Sequence, residues 1–213
     1  MAAGSSARLF VALDLPAEVR EALVAWRAPL LDAAGGGLRA VDPASLHVTL
    51  CFLGALPLAA VEPVGEAVGG AVGGAAPDGG VAGAGGAAPE GGARGPPVGG
   101  LSLDGGLWLP RRRPRVLTVA LGDGDGALAA LQAAVAEALA AGGWFTPERR
   151  PFLPHVTVAR VRERRPAAAA ALARLPLPPV PARAFAGVAV TLYRSHLGGG
   201  PARYEPLVRV PLR

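Results

Sequence analysis

The sequence predicts an α+β fold, and three observations point to it. Short apolar runs of strand length are mixed with segments of helical periodicity, without the regular alternation that builds a parallel βαβ sheet. The two halves of the chain repeat one order: an apolar strand, an amphipathic helix, and a strand opening on the pattern His-x-Thr. Each half holds one copy of that pattern, so neither is self-sufficient, and residues 1–213 read as a single bilobal domain.

Arg8 to Leu13, Arg-Leu-Phe-Val-Ala-Leu, is a buried-strand pattern. Pro16 opens a helix, since its fixed φ and missing N–H suit a first turn, and Glu18 adds charge favoured there. Val19, Leu23, Trp26 and Leu30 give that helix one apolar face, and Pro29 is expected to end it. Residues 46–53 form the first motif strand, and a weaker helical pattern covers 58–72. Residues 73–100 are low in complexity, made of Gly, Ala and Pro, and bury too little apolar surface to offset ordering. They are expected to be a mobile loop rather than a linker between independent domains. Leu101 to Leu109 and Arg115 to Leu121 are strands joined by a basic turn. Asp123 or Asp125 caps the next helix, whose buried face is Leu128, Leu131, Val135 and Leu139, and Gly142-Gly143 stops it. The second motif strand spans 155–160, and Pro166 to Leu175 suits a short helix. Val188 to Tyr193 and Arg203 to Val210 close the chain, with Pro206 marking the last as an edge strand.

The composition bounds the function. All 21 basic residues are Arg, and Lys, Ile and Asn are absent, a bias expected of a G/C-rich coding sequence. The net charge of +5 suits an anionic partner such as RNA or a nucleotide. Basic clusters lie at Arg111 to Arg113 with Arg115, at Arg149 and Arg150, and at Arg160, Arg162, Arg164 and Arg165; each could equally be a solvated surface. The lone Cys51 excludes an intrachain disulfide and a Cys-based zinc site. No segment has the makings of a leader or a membrane span, so a cytoplasmic protein is expected.

The chemistry lies in Ser45-Leu46-His47-Val48-Thr49-Leu50 and Pro154-His155-Val156-Thr157-Val158. In a strand, residues i and i+2 share a face, so each copy presents an imidazole beside a hydroxyl. Two imidazoles across a cleft, one neutral and one protonated, can take a proton from water and give one to a leaving oxygen near neutral pH. The hydroxyls of Thr49 and Thr157 can donate to non-bridging phosphate oxygens. Two histidines without further donors do not fill a tetrahedral zinc site, so neither metal nor cofactor is expected. One such copy would match by chance in many proteins. Two copies among three histidines, each in an apolar strand, favour function, and His196 has no such frame and reads as a surface residue.

These motifs resemble the 2H phosphoesterase superfamily, and within it the RNA 2′,3′-cyclic phosphodiesterases, or 2′-5′ RNA ligase-like proteins. The resemblance extends to Arg8-Leu9-Phe10-Val11-Ala12-Leu13-Asp14-Leu15-Pro16, Phe52-Leu53-Gly54, Arg150-Pro151-Phe152, Thr191-Leu192-Tyr193-Arg194-Ser195 and Arg203-Tyr204. It implies two antiparallel sheets around a central cleft with helices outside. It implies metal-independent hydrolysis of an RNA or nucleoside 2′,3′-cyclic phosphate to a 2′-phosphomonoester. His47 would be the proton donor and His155 the proton acceptor, with Thr49 and Thr157 on the phosphate. Arg160 matches a position that contacts the ligand, and Phe52 one suited to stacking on the base. Strict alternation opposes both: it turns Phe52 toward the core, Cys51 toward the cleft and Arg160 away from His155, unless a bulge re-aims them. The expected partners are RNA ends or nucleotides bearing the cyclic phosphate, with no membrane and no protein partner, for a monomer. Two other functions fit the same residues: reverse transesterification as a 2′-5′ RNA ligase, and a non-catalytic RNA-end or nucleotide-binding module. The absence of Lys excludes ligation through a nucleotidyl-lysine.

Overall fold

The computed structural model describes residues 6–73, 95–162, 166–196 and 202–213. Its strands are β1 (Ser6–Asp14), β2 (Leu38–Ala40), β3 (His47–Pro57), β4 (Leu101–Leu109), β5 (Val116–Asp123), β6 (His155–Val161), β7 (Ala184–Phe185), β8 (Ala189–His196) and β9 (Arg203–Pro211). The helices are α1 (Ala17–Ala33), α2 (Val61–Gly73), α3 (Ala127–Ala141) and α4 (Pro166–Leu172). The described strands run in the order β7-β4-β5-β6-β3-β1-β8-β9, with β2 also on β6. All these pairings are antiparallel. β3 and β6, the two motif strands, meet at a single register pair, Val48 with Val156. Where two sheets were expected, the described strands form one nine-stranded antiparallel sheet, whose halves join through that single pair. β9 is an edge strand, consistent with Pro206.

Both halves use strand, helix, antiparallel strand: β1-α1-β3 and β5-α3-β6. The helices cross over. α1 leaves β1 but packs on β6 and β2, whereas α3 leaves β5 and packs on β3 as well as β5. Trp26 of α1 reaches β4, where a Cβ on Gly106 would lie 2.6 Å from its indole, so only glycine admits the ring. The core is continuous through both halves, from Leu9, Val11 and Leu13 of β1 to Leu117, Val119 and Val156 on β5 and β6.

Several expectations are corrected. α1 continues through Pro29 to Ala33. Pro29 removes one helical bond, but Ala25, whose carbonyl it frees, is exposed to water, while buried Leu30 holds the last turn on the core. Asp123 and Asp125 cap α3 as expected, both at once: Asp123 accepts from the Leu128 and Ala129 amides at 3.1 and 2.8 Å, and Asp125 from Ala127 at 3.1 Å. Of the expected loop, 74–94 lies outside the described residues. Within residues 95–100, Gly95 bridges Leu212 and Val98 is buried. The short strands β2 and β7 escape a periodicity reading, because three and two residues carry no pattern. Among the described residues no helix is long and apolar enough to cross a membrane.

Candidate active site

The two motif strands are built alike. β1 faces β3 through Leu13–Val48, Ala12–Thr49 and Val11–Cys51, leaving Leu50 without a partner. β5 faces β6 through Val119–Val156, Thr118–Thr157 and Leu117–Ala159, leaving Val158 without one. Each strand thus carries a bulge at the third residue after its histidine, and a bulge inverts the alternation beyond it. Burial follows the same sequence in both strands: half-buried His, buried Val, half-buried Thr, two buried residues, then an exposed one. The exposed residues are Phe52 and Arg160, which line the cleft that His47 and His155 share. Phe52 is 49% exposed and Cys51 is buried, the reverse of strict alternation. A second irregularity, with Gly54 at φ 75°, follows Phe52. Arg8 lies over the Phe52 ring, 4.9 Å from its centroid.

The crossed helices satisfy the bulged backbone. Gln132 of α3 donates to the Leu50 carbonyl at 3.4 Å, and Arg27 of α1 donates to the Val158 carbonyl at 2.8 Å and to that of Val41. Arg27 is only 4% exposed, and burial lowers its pKa, opposed by Asp42. A buried guanidinium in this place is a structural tie between α1 and β6.

Each imidazole is oriented by the backbone two residues before it. Nδ1 of His47 lies 2.7 Å from the Ser45 carbonyl, and Nδ1 of His155 lies 2.8 Å from that of Leu153. A carbonyl only accepts, so Nδ1 carries the hydrogen in both rings and Nε2 is the atom that exchanges protons. Nε2 of His47 is 3.2 Å from the Thr49 hydroxyl. The cleft has a volume of about 550 Å³, and all six residues expected from the sequence line it: His47, Thr49, Phe52, His155, Thr157 and Arg160. His196 is exposed and hydrogen-bonds Glu205 at 2.7 Å, away from them.

The two histidines differ in surroundings. His47 sits in an aromatic box of Phe10 at 5.0 Å, Tyr204 at 5.4 Å and Tyr193 at 6.3 Å between ring centroids. Behind it Asp14 accepts from Tyr193 at 2.8 Å, from Thr191 at 2.9 Å and from Arg209 at 3.3 Å. Burial lowers the His47 pKa below its ordinary value, with Arg160 and His155 adding to the effect; the Ser45 carbonyl and Asp14 oppose it. Burial and Asp14 push the Tyr193 phenol up to about 12, and burial pushes the Cys51 thiol to about 12, so both stay neutral. Among the described residues no three His, Cys, Asp or Glu side chains are grouped to hold a metal ion.

Sequence reasoning missed the box and its support. Phe10 reads as one more apolar residue of a buried strand. It faces the cleft because Arg8, Phe10, Ala12 and Asp14 share one face of β1, and on β8 Ser195, Tyr193 and Thr191 stand opposite the first three. The signal available was that Arg8 and Asp14 fall in phase with Phe10.

Residues 93–199 match the model of the 2′-5′ RNA ligase superfamily, and residues 13–78 match that of the LigT-like phosphoesterases. The chain is 31% identical over 203 residues to the Escherichia coli (strain K12) RNA 2′,3′-cyclic phosphodiesterase, covering 95% of this chain and 94% of that protein. The structure of E. coli LigT complexed with 3′-AMP superposes with a TM-score of 0.70 at 28% identity, covering 98% and 99% of the two chains. A protein of Thermus thermophilus superposes with a TM-score of 0.57 at 27% identity, covering 97% and 98%. With matched models on both sides of the Gly-rich tract and a near full-length relative, the chain belongs to the 2′-5′ RNA ligase superfamily, among its LigT-like phosphoesterases.

Proposed function

We propose that this protein hydrolyses RNA or nucleoside 2′,3′-cyclic phosphates to 2′-phosphomonoesters, using His47 and His155 as its acid–base pair. One observation carries the reading: two imidazoles, each with Nδ1–H tied to a carbonyl and a threonine two residues on, line one cleft. The activity named for the E. coli relative supports it. His155 Nε2 takes a proton from water as the oxygen attacks phosphorus. The P–O3′ bond breaks, and His47 Nε2–H gives its proton to O3′. The product holds its phosphate on O2′ and a free 3′-hydroxyl, and solvent exchange resets both rings. Thr49 and Thr157 donate to the non-bridging oxygens, where charge accumulates.

Assigning the acid to His47 follows the family, and its surroundings define a condition. In the free protein burial favours the neutral ring, which opposes the role of acid. A phosphate anion beside Nε2, with Asp14 behind, favours the imidazolium. The test is an assay in EDTA on a nucleoside 2′,3′-cyclic monophosphate and on a short RNA ending in a cyclic phosphate. A 2′-phosphate product, lost by roughly 10²–10⁴-fold in His47→Ala and His155→Ala, is expected. EDTA-sensitive turnover, or full activity in either variant, refutes the reading. Supplying an RNA 5′-hydroxyl as acceptor measures how far the same pair runs in the joining direction.

A further inference from the structure

A second cavity, of about 730 Å³, opens next to the catalytic cleft. Its lining draws on β2, the β4–β5 turn, the end of β6 and α4. Six of its ten described lining residues are arginines (Arg39, Arg112, Arg113, Arg115, Arg160 and Arg162), and no carboxylate is among those ten. Two of the six, Arg39 and Arg160, also line the catalytic cleft, so the cavities share a threshold. These two stand directly opposite each other in the β2–β6 ladder. Like charges in cross-strand register destabilise a sheet. The arrangement is explained if an anion occupies the threshold. A groove of one sign also concentrates counter-ions of the other.

We propose that this groove holds the backbone phosphates of the nucleotides preceding the terminal one, so that the preferred substrate is a single-stranded RNA end rather than a mononucleotide. This inference rests on the reading of the catalytic cleft given above. β3 and β6 are antiparallel about Val48–Val156, so Phe52 and Arg160 lie toward opposite ends of the cleft. With the cyclic phosphate between the histidines and the terminal base on Phe52, the chain leaves past Arg160 and Arg39 into the groove. Among the described residues no aromatic ring lines the groove. Contact there is with phosphates, and its contribution is independent of base sequence.

The experiment compares the wild-type protein with the triple variant Arg112→Gln/Arg113→Gln/Arg162→Gln, whose three positions are exposed and outside the catalytic cleft. The substrates are a nucleoside 2′,3′-cyclic monophosphate and an RNA tetranucleotide ending in the cyclic phosphate. The wild type should show a lower KM for the tetranucleotide, and the variant should lose that advantage by roughly tenfold or more at low salt. The log–log salt dependence should flatten by about 0.7 for each phosphate contact removed. Turnover of the mononucleotide should be unchanged, which also reports an intact fold. Methylphosphonate linkages upstream of the terminal nucleotide should reproduce the effect in the wild type, and abasic nucleotides should not. Equal KM for both substrates, or a variant indistinguishable on RNA, overturns the proposal. Fluorescence anisotropy with a labelled tetranucleotide ending in a 2′-phosphate separates the two readings. If neither substrate is turned over, the catalytic reading fails, and loss or retention of this binding in the variant still decides on the groove.

Discussion

His47 and His155 share a motif and differ in environment, and that difference is measurable. His47 is enclosed by Phe10, Tyr193 and Tyr204, with Asp14 behind; His155 lacks such a box among the described residues. In the free protein the His47 Cε1–H resonance should titrate below the ordinary histidine value of about 6.5. Saturation with a nucleoside 2′-monophosphate should move its midpoint upward, because the anion favours the charged ring. Asp14→Asn should move it further down, since Asp14 raises the His47 pKa. A midpoint indifferent to the phosphate would remove the basis for substrate-linked protonation. Phe52 offers a second residue-scale prediction. If its ring carries the terminal base, Phe52→Ala should raise KM for the nucleotide by roughly tenfold, the lower part of the 1–3 kcal/mol range for one stacked base, with kcat little changed. An unaltered KM would assign Phe52 to its contact with Arg8 instead.

At the scale of elements, the paired bulges at Leu50 and Val158 are what convert two strands into one site. A bulge leaves backbone groups outside the ladder, and these must be satisfied. The side chains that do so come from the crossed helices, Gln132 onto β3 and Arg27 onto β6. Arg27→Met retains most of the apolar packing and removes the donors. It should cost about 1–3 kcal/mol in urea unfolding, the penalty for carbonyls left with too few partners. Because Arg160 follows the Val158 bulge, the variant should also raise KM while the His47 resonance still titrates below the ordinary value. Unchanged stability would mean that the Val41 amide, which also donates to the Val158 carbonyl, suffices alone.

At the scale of the molecule, crossed packing makes each half depend on the other. α1 is covalently joined to β1 but buries Leu23 and Trp26 in a core continuous with β5 and β6; α3 returns the arrangement onto β3. Leu23→Ala on α1 and Leu128→Ala on α3 should each cost about 2–5 kcal/mol. Both should lower one common transition, seen together by far-ultraviolet circular dichroism and tryptophan fluorescence. Separate transitions for the two halves would contradict the interdependence.

The amino-acid pattern by itself determined the parts whose cause is local. His-x-Thr in a strand places imidazole and hydroxyl on one face whatever surrounds them, and both copies line the cleft. The apolar stripes of α1 and α3, the aspartate caps and the Gly142-Gly143 stop were legible because spacing and backbone chemistry decide them. Pro29 misled because its cost depends on whether the freed carbonyl meets water, which is a property of the packed helix. The side on which Phe52 and Arg160 emerge was decided by tertiary structure. A single unpaired residue inverts the face of everything after it, and only the partner strands, β1 and β5, specify where that residue falls. The same holds for the box around His47: its members come from β1, β8 and β9, distant in sequence and adjacent only through strand pairing.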